Sequence, residues 1–349
     1  MTLKHYPELD GIRAIAALMV MFFHFFQTLI TQNSALLLVK KYAVFGQTGV
    51  TLFFVLSGFL ITRILLNTKQ TPAYFLNFYL RRALRIFPLY YLFLIIYFFL
   101  IPILEQNSIV PFRQQIWFWV YLQNIAYTFH WHITGPIHFW SLAVEEHFYL
   151  FFPMLIYFLD KSKIKFVLIF IMIFAFLVRL ILVKNHIEPL YFTFSRIDEL
   201  AIGAFLALLE INNQLNTNNA KRFVILFVII IIPTIILWTF TTGMKNPAVQ
   251  VSKITLMALT YFSVIGYVLS IKLGHWIKKL LSNKFLAFTG KISYGLYVYH
   301  PLCFLLMHKY FGSGYVFIDF TLSFIVSFMV ATSSYYLYEV KFLALKKKF

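Results

Sequence analysis

His24 stands in "MVMFFHFFQT", residues 19–28, a run otherwise apolar up to Gln27. Asp10 and Arg13 precede it in "ELDGIRAIAALMVMFFHF". On one helix the steps from Arg13 to His24 return to within about 20° of the same direction, and Asp10 is offset from His24 by about 40°. The polar side chains therefore share one face, with Arg13 and His24 about 16 Å apart along the axis. A capping aspartate, a snorkelling arginine and a packed core histidine are the structural alternative. The sharper reading is a proton-transfer stripe, because imidazole is the side chain suited to take a proton from an alcohol at neutral pH.

Further chemistry-bearing residues recur along the chain. "RRALRIFPLYY" (81–91) places Arg81, Arg82 and Arg85 within one helical turn, and Pro88 is expected to bend or start a helix there. Such a cluster anchors a cytoplasmic span end, or it binds phosphate through the fixed donor fork of guanidinium. "HFWSLAVEEHFYLFFP" (138–153) sets Ser141, Glu145 and Tyr149 at i, i+4 spacing, a ladder on one side of a helix, with Glu146 pointing elsewhere. "FVLSGFL" (54–60) carries Ser57 and Gly58, which by themselves suit helix contact. In "FSRIDELAIG" (194–203), Arg196, Asp198 and Glu199 read as an internal ion pair. His300 precedes Pro301 in "ISYGLYVYHPL", and Glu339 follows "SSYYLY". His130 and His132 in "FHWHI" lack a third ligand at a telling spacing, so no metal is expected.

The elements that must position these groups are membrane spans. The chain has 349 residues, of which 61% are hydrophobic and 12% charged. A soluble domain carries about twice that share of charge. The expected fold is all-α, a polytopic transmembrane helical bundle, because each span must close its own backbone hydrogen bonds in lipid. Strand-like alternation is absent, which argues against an outer-membrane barrel. The net charge of +18 does not indicate nucleic acid, since the basic residues sit in short connectors between apolar spans. Cys303 is the single cysteine, so no intrachain disulfide forms, and it reads as a packed residue. The first span lacks a clear cleavage site and is expected to be retained.

Apolar segments fall at roughly 11–31, 43–66, 86–104, 116–129, 139–159, 164–183, 192–211, 222–242, 252–271, 291–311 and 316–338. The connectors 67–85, 160–165, 212–222 and 272–284, and the tail with Lys341, Lys346, Lys347 and Lys348, are basic and should be cytoplasmic. An odd number of segments separates the connectors 67–85 and 160–165, so one cannot cross. The shortest, 116–129 with Gln123 and Asn124, is expected to be re-entrant or interfacial. About ten crossings remain, with both termini inside; Lys40 and Lys41 then lie outside, an exception to the charge rule. A single integral-membrane domain over residues 1–349 is expected, without an appended soluble domain or an internal repeat.

Taken together, "LDGIRAIA…H", "FFVLSGFLIT", "RRALRIFPLYY", "FWSLAVEEHFYLFFP", "SRIDELAIGAFLAL", "ISYGLYVYHPL" and the closing "YYLYE" resemble the membrane acyltransferase-3 family, and they run in family order from residue 9 to 339. These are integral-membrane O-acyltransferases of bacterial surface polysaccharides and related acceptors. The resemblance implies an acyl-CoA donor, foremost acetyl-CoA, taken from the cytoplasm, and an acceptor hydroxyl presented from the other face. Within the family the histidine matching His24 is central to catalysis, and positions matching Arg13, Arg82, Arg85 and Glu145 are counted as functional. Some members carry a C-terminal hydrolase-like domain; none is expected here.

Residues and resemblance lead to one scheme. Arg81, Arg82 and Arg85 hold the donor's phosphate-rich head, with Arg13 and Ser57 also on the donor side. His24, supported by Asp10 and Arg13, takes the proton of the attacking hydroxyl, and an acyl-histidine intermediate is the rival route. Glu145 orients the imidazole or binds the acceptor, a saccharide or glycolipid. Trp140 and Trp131 pack on sugar faces at the outer mouth, and Ser141, Tyr149 and His300 complete acceptor binding. The expected location is the bacterial cytoplasmic membrane, among lipid, with no nucleic-acid partner. The competing function is a secondary transporter or flippase for an anionic or lipid-linked substrate, which would also bury Arg, His and Glu.

Overall fold

In lipid, apolar side chains belong outside and charged ones inside, the reverse of a soluble protein. The helix Lys161–Lys184 shows this reversal: Phe166, Phe170, Ile173 and Ile181 face outward, while Arg179 is 0% exposed. The computed structural model describes residues 4–240, 246–346 and 349, and every regular element among them is helical. Seven helical runs are long and apolar enough to cross a membrane: Pro7–Thr28, Ser34–Thr68, Tyr74–Leu104, Lys161–Lys184, Thr217–Leu237, Pro247–Ser270 and Val316–Leu345. Three more helices have the length of a span but are more polar: Trp140–Phe158, Thr193–Ile211 and Ser293–Phe311. They carry Glu145 and Glu146, then Arg196, Asp198 and Glu199, then His300. The chain is thus an all-α, multi-pass membrane protein.

The segment expected not to cross is two short helices, Phe112–Trp119 and Gln123–Thr128. At 1.5 Å per residue neither approaches the roughly 30 Å of a hydrocarbon core. Buried Gln123 donates to the Phe139 carbonyl at 2.8 Å, and Asn124 donates to Thr193 Oγ1 at 2.7 Å. The polar residues that shortened the apolar run therefore bond within the protein.

Some boundaries differ from expectation. The third span starts at Tyr74 rather than at residue 86, so Arg81, Arg82 and Arg85 lie well inside a helix and Pro88 does not begin it. On either side of that proline, Tyr294 Oη donates to the Ile86 carbonyl at 2.9 Å and Tyr338 Oη to the Pro88 carbonyl at 3.4 Å. The second apolar run reaches back to Ser34, where the Asn33 side chain accepts from the Ala35 and Leu36 amides and caps the helix. Residues 241–242 of the expected 222–242 span, and Lys347 and Lys348, fall outside the described residues. Lys40 has a structural task that accounts for its place: its Nζ donates to the Leu29 carbonyl at 2.8 Å, at the C-terminal end of the first helix, where carbonyls lack helical partners.

The chain forms two compact units. The first comprises Thr51–Phe75 and Tyr97–Lys278 with the N-terminal residues through Lys4; the second comprises His5–Val50, Leu76–Ile96 and Lys279–Phe349. Within the first unit, Gly58 lies against the Leu200 backbone and Gly203 against the Val55 backbone. A side chain at either would collide with a carbonyl oxygen, so glycine is what lets these helices touch. Gly203→Val is expected to destabilise the protein by about 1–3 kcal/mol through overpacking, read as a lower unfolding midpoint in detergent. In the second unit, Met21, Ile292, Leu296, Phe304, Ala331 and Tyr335 form a buried core that joins the first helix to Ser293–Phe311 and to the C-terminal helices.

Candidate functional site

The first helix, Pro7–Thr28, is continuous, so the stripe of Asp10, Arg13 and His24 stands as the spacing implies. His24 is half-buried, and its Nδ1 lies 2.7 Å from Nε2 of His300. The two rings stack with centroids 5.0 Å apart and planes at 25°. His300 is 0% exposed, and its own Nδ1 lies 2.8 Å from the Leu296 carbonyl one turn earlier in its helix. Met21, one turn before His24, and Leu296 both belong to the apolar core, which fixes the two helices against each other at this depth. His300 was expected among acceptor-binding residues; it is buried and paired with the imidazole of His24.

Nearer the start of the same helix, Arg13 Nη1 donates to Asp10 Oδ1 at 2.9 Å. The charges of Arg85 and Arg82 both act on Arg13. Arg85 also attracts Glu339, whose Oε1 accepts from Ser334 Oγ at 3.2 Å. Glu339 closes a π-helical turn, Tyr335–Glu339, an irregularity found at functional sites. Lys346, just past the last span, joins the cluster: burial first, then Arg85, Arg82 and Arg81, push its ammonium down to about 7. Arg81 is exposed, while Arg82 and Arg85 are half-buried. Cations crowded this closely, with Asp10 and Glu339 as counter-charges, suit a polyanion such as a phosphate-rich head group. The sequence reading had given Glu339 no role and had counted Lys346 only as a basic tail residue.

The remaining candidates belong to the first unit. Ser57 Oγ and Tyr149 Oη are 2.6 Å apart, which joins two residues expected on different substrates. The helix Trp140–Phe158 carries the ladder as expected, with Ser141 and Tyr149 buried and Glu145 half-buried. Ser141 Oγ donates to the His138 carbonyl at 3.4 Å. Trp140 departs from the expected open platform. It is 7% exposed, and the Arg196 guanidinium lies 5.1 Å from its ring centroid, so its ring is engaged inside the unit. Trp131 is 41% exposed beside Trp117, at a centroid distance of 4.8 Å.

Arg196 and Glu199 form the internal ion pair anticipated from their spacing, with Arg196 Nε 2.7 Å from Glu199 Oε2. Asp198 pairs instead with Arg179, which the sequence reading missed. Its signal was an arginine in the middle of the apolar run "FAFLVRLILV". Among the described residues, no three His, Cys, Asp or Glu side chains are grouped to hold a metal ion.

A multi-pass helical membrane protein with a histidine pair and an arginine cluster along one internal helix defines a class of membrane enzymes. Comparison with known families makes this specific. The chain belongs to the acyltransferase-3 family, whose acyltransferase domain matches residues 6–339. It is 28% identical to the peptidoglycan O-acetyltransferase OatA of Listeria monocytogenes, over 85% of this chain and 49% of that protein. It is 27% identical to the O-acetyltransferase OatA of Staphylococcus aureus, over 90% of this chain and 53% of that protein. The chain thus spans about half the length of these relatives. No solved structure matches it significantly.

Proposed function

We propose that this chain transfers an acetyl group from cytoplasmic acetyl-CoA to a hydroxyl of a cell-envelope saccharide or glycolipid, as a multi-pass enzyme of the bacterial cytoplasmic membrane with both termini inside. One observation carries the reading: a single continuous helix bears a histidine-paired imidazole toward one end and an arginine-bound cationic cluster toward the other. Their axial separation of about 16 Å leaves room for the thin arm of a coenzyme A between its phosphates and its thioester. The family membership and the names of its relatives support acetyl transfer to a wall saccharide.

In this scheme Arg82 and Arg85, with Arg81, Arg13 and Lys346 beside them, hold the donor head. His24 takes the proton of the acceptor hydroxyl as its oxygen attacks the thioester carbonyl. The carbon–sulfur bond breaks, the coenzyme A thiolate leaves, and the proton held by His24 passes to it. An ester and free coenzyme A result. Ser57, and the ladder of Ser141, Glu145 and Tyr149, are assigned to binding the substrates. The whole integral-membrane domain, residues 1–349, is the acting unit.

The test is covalent change. Purified full chain in nanodiscs is given isotopically labelled acetyl-CoA and peptidoglycan fragments, and labelled ester is measured by mass spectrometry. Labelled saccharide is the expected product. Intact acetyl-CoA together with movement of a lipid-linked saccharide across the bilayer would replace this reading with a flippase. Arg85→Gln is expected to raise the donor KM by roughly 10-fold or more, the weight of one charge-assisted hydrogen bond, with a smaller change in kcat.

A further inference from the structure

The heavy-atom geometry around His24 determines which ring nitrogen carries its proton. The chain of contacts starts at the Leu296 carbonyl, 2.8 Å from His300 Nδ1. A carbonyl only accepts, so His300 Nδ1 carries the hydrogen. The His300 ring is 0% exposed and packs against Phe304 and Tyr297, with centroids at 5.6 and 6.0 Å. A charged ring there would forfeit its hydration, so the neutral form is the one to consider. In neutral imidazole a hydrogen on Nδ1 leaves Nε2 with the lone pair. That Nε2 is 2.7 Å from His24 Nδ1, and two lone pairs cannot face each other at such a distance. His24 Nδ1 must therefore donate, which leaves the lone pair of His24 on Nε2.

We infer that His300 is a positioning residue that holds His24 in the Nδ1–H tautomer and so aims the Nε2 lone pair as the base. The role is that of a buried partner which orients a catalytic imidazole from behind, filled here by a second histidine anchored on its own helix backbone. When His24 gains a proton on Nε2, its Nδ1–H remains bonded to His300 Nε2, and the ring cannot turn while it is charged. The proton then leaves from Nε2 to the departing thiolate, and the tautomer is restored. His300 touches neither donor nor acceptor in this account, which separates it from acceptor binding. The kinetic part of the inference rests on the acetyl-transfer reading; the tautomer does not.

The test combines both. In full chain labelled with 15N in its histidine rings, with His24→Asn used to assign the resonances, His24 is expected to show a protonated Nδ1 and an unprotonated Nε2. His300→Phe removes the acceptor at nearly constant volume, and His300→Gln restores an acceptor near the place of Nε2. His300→Phe is expected to lower kcat by roughly 100-fold with the donor KM within about two-fold, and His300→Gln to recover most of that loss. A His24 resonance protonated at Nε2 in the wild-type protein overturns the inference whatever the variants do. So does a folded His300→Phe at normal kcat, or a folded His300→Gln no better than His300→Phe. Wild-type protein with the expected tautomer but no acetyl transfer would sink the enzymatic reading and leave the histidine pair as described.

Discussion

Replacing His24 with alanine is expected to lower acyl transfer by roughly 10³-fold or more, with the donor KM within about two-fold. The donor's affinity comes from the cluster of Arg13, Arg82, Arg85 and Lys346, which the substitution leaves in place. What is lost is the group that makes an alcohol nucleophilic. His24 is half-buried on an otherwise intact helix, and Met21 and Phe26 on either side of it hold the packing, so the variant should fold. Acetyl-CoA turnover alongside the thermal unfolding midpoint in detergent separates lost chemistry from lost structure. A folded His24→Ala protein that acetylates at the normal rate would end both the general-base version and the acyl-histidine version. A rapid pre-steady-state release of coenzyme A in the wild-type protein without acceptor would favour the covalent route.

The second large effect is on stability and lies in the first unit. Arg179 and Asp198 are both 0% exposed and form a two-pronged pair, with Arg179 Nη1 2.9 Å from Asp198 Oδ1 and Nη2 2.8 Å from Oδ2. Thr255 Oγ1 donates to Asp198 Oδ2 at 2.7 Å, and Arg179 Nη1 donates to the Ser195 carbonyl. The helices Lys161–Lys184, Thr193–Ile211 and Pro247–Ser270 are joined at one buried point. Asp198→Ala leaves a guanidinium without its counter-charge in an apolar interior, and a loss of about 3–5 kcal/mol is expected. The double variant Arg179→Met/Asp198→Leu should regain most of it, because replacing a buried pair by apolar groups of similar size is close to neutral. Unfolding midpoints in detergent for the single and double variants check this. Equal damage in both would mean that the charges serve something other than each other.

How far the residues alone reach is visible at particular places. The spans were legible because a bilayer demands long apolar runs that satisfy their own backbones, and such runs stand out without any knowledge of neighbours. The non-crossing segment at 116–129 was legible for the same reason, since charge bias and crossing parity are properties of the chain itself. The stripe of Asp10, Arg13 and His24 was legible because helical periodicity relates residues on one helix. The start of the third span at Tyr74 was not: Arg81, Arg82 and Arg85 lower the local apolarity, yet the helix runs through them.

Partners on different helices lay beyond the sequence. His24 and His300 are 276 residues apart, and nothing in either motif says that the imidazoles meet. The face of Trp140 was read as open until packing laid Arg196 over it, and Arg179 passed as one cation in an apolar run until Asp198 was found opposite. The sequence by itself determined the all-helical membrane architecture, the family and the residues that line one helix, because these depend on composition, order and a fixed local period. Only the tertiary structure decided which of those residues touch, and with that the tautomer of His24, because contacts between distant segments depend on how side-chain volumes and glycine gaps let the helices close upon one another.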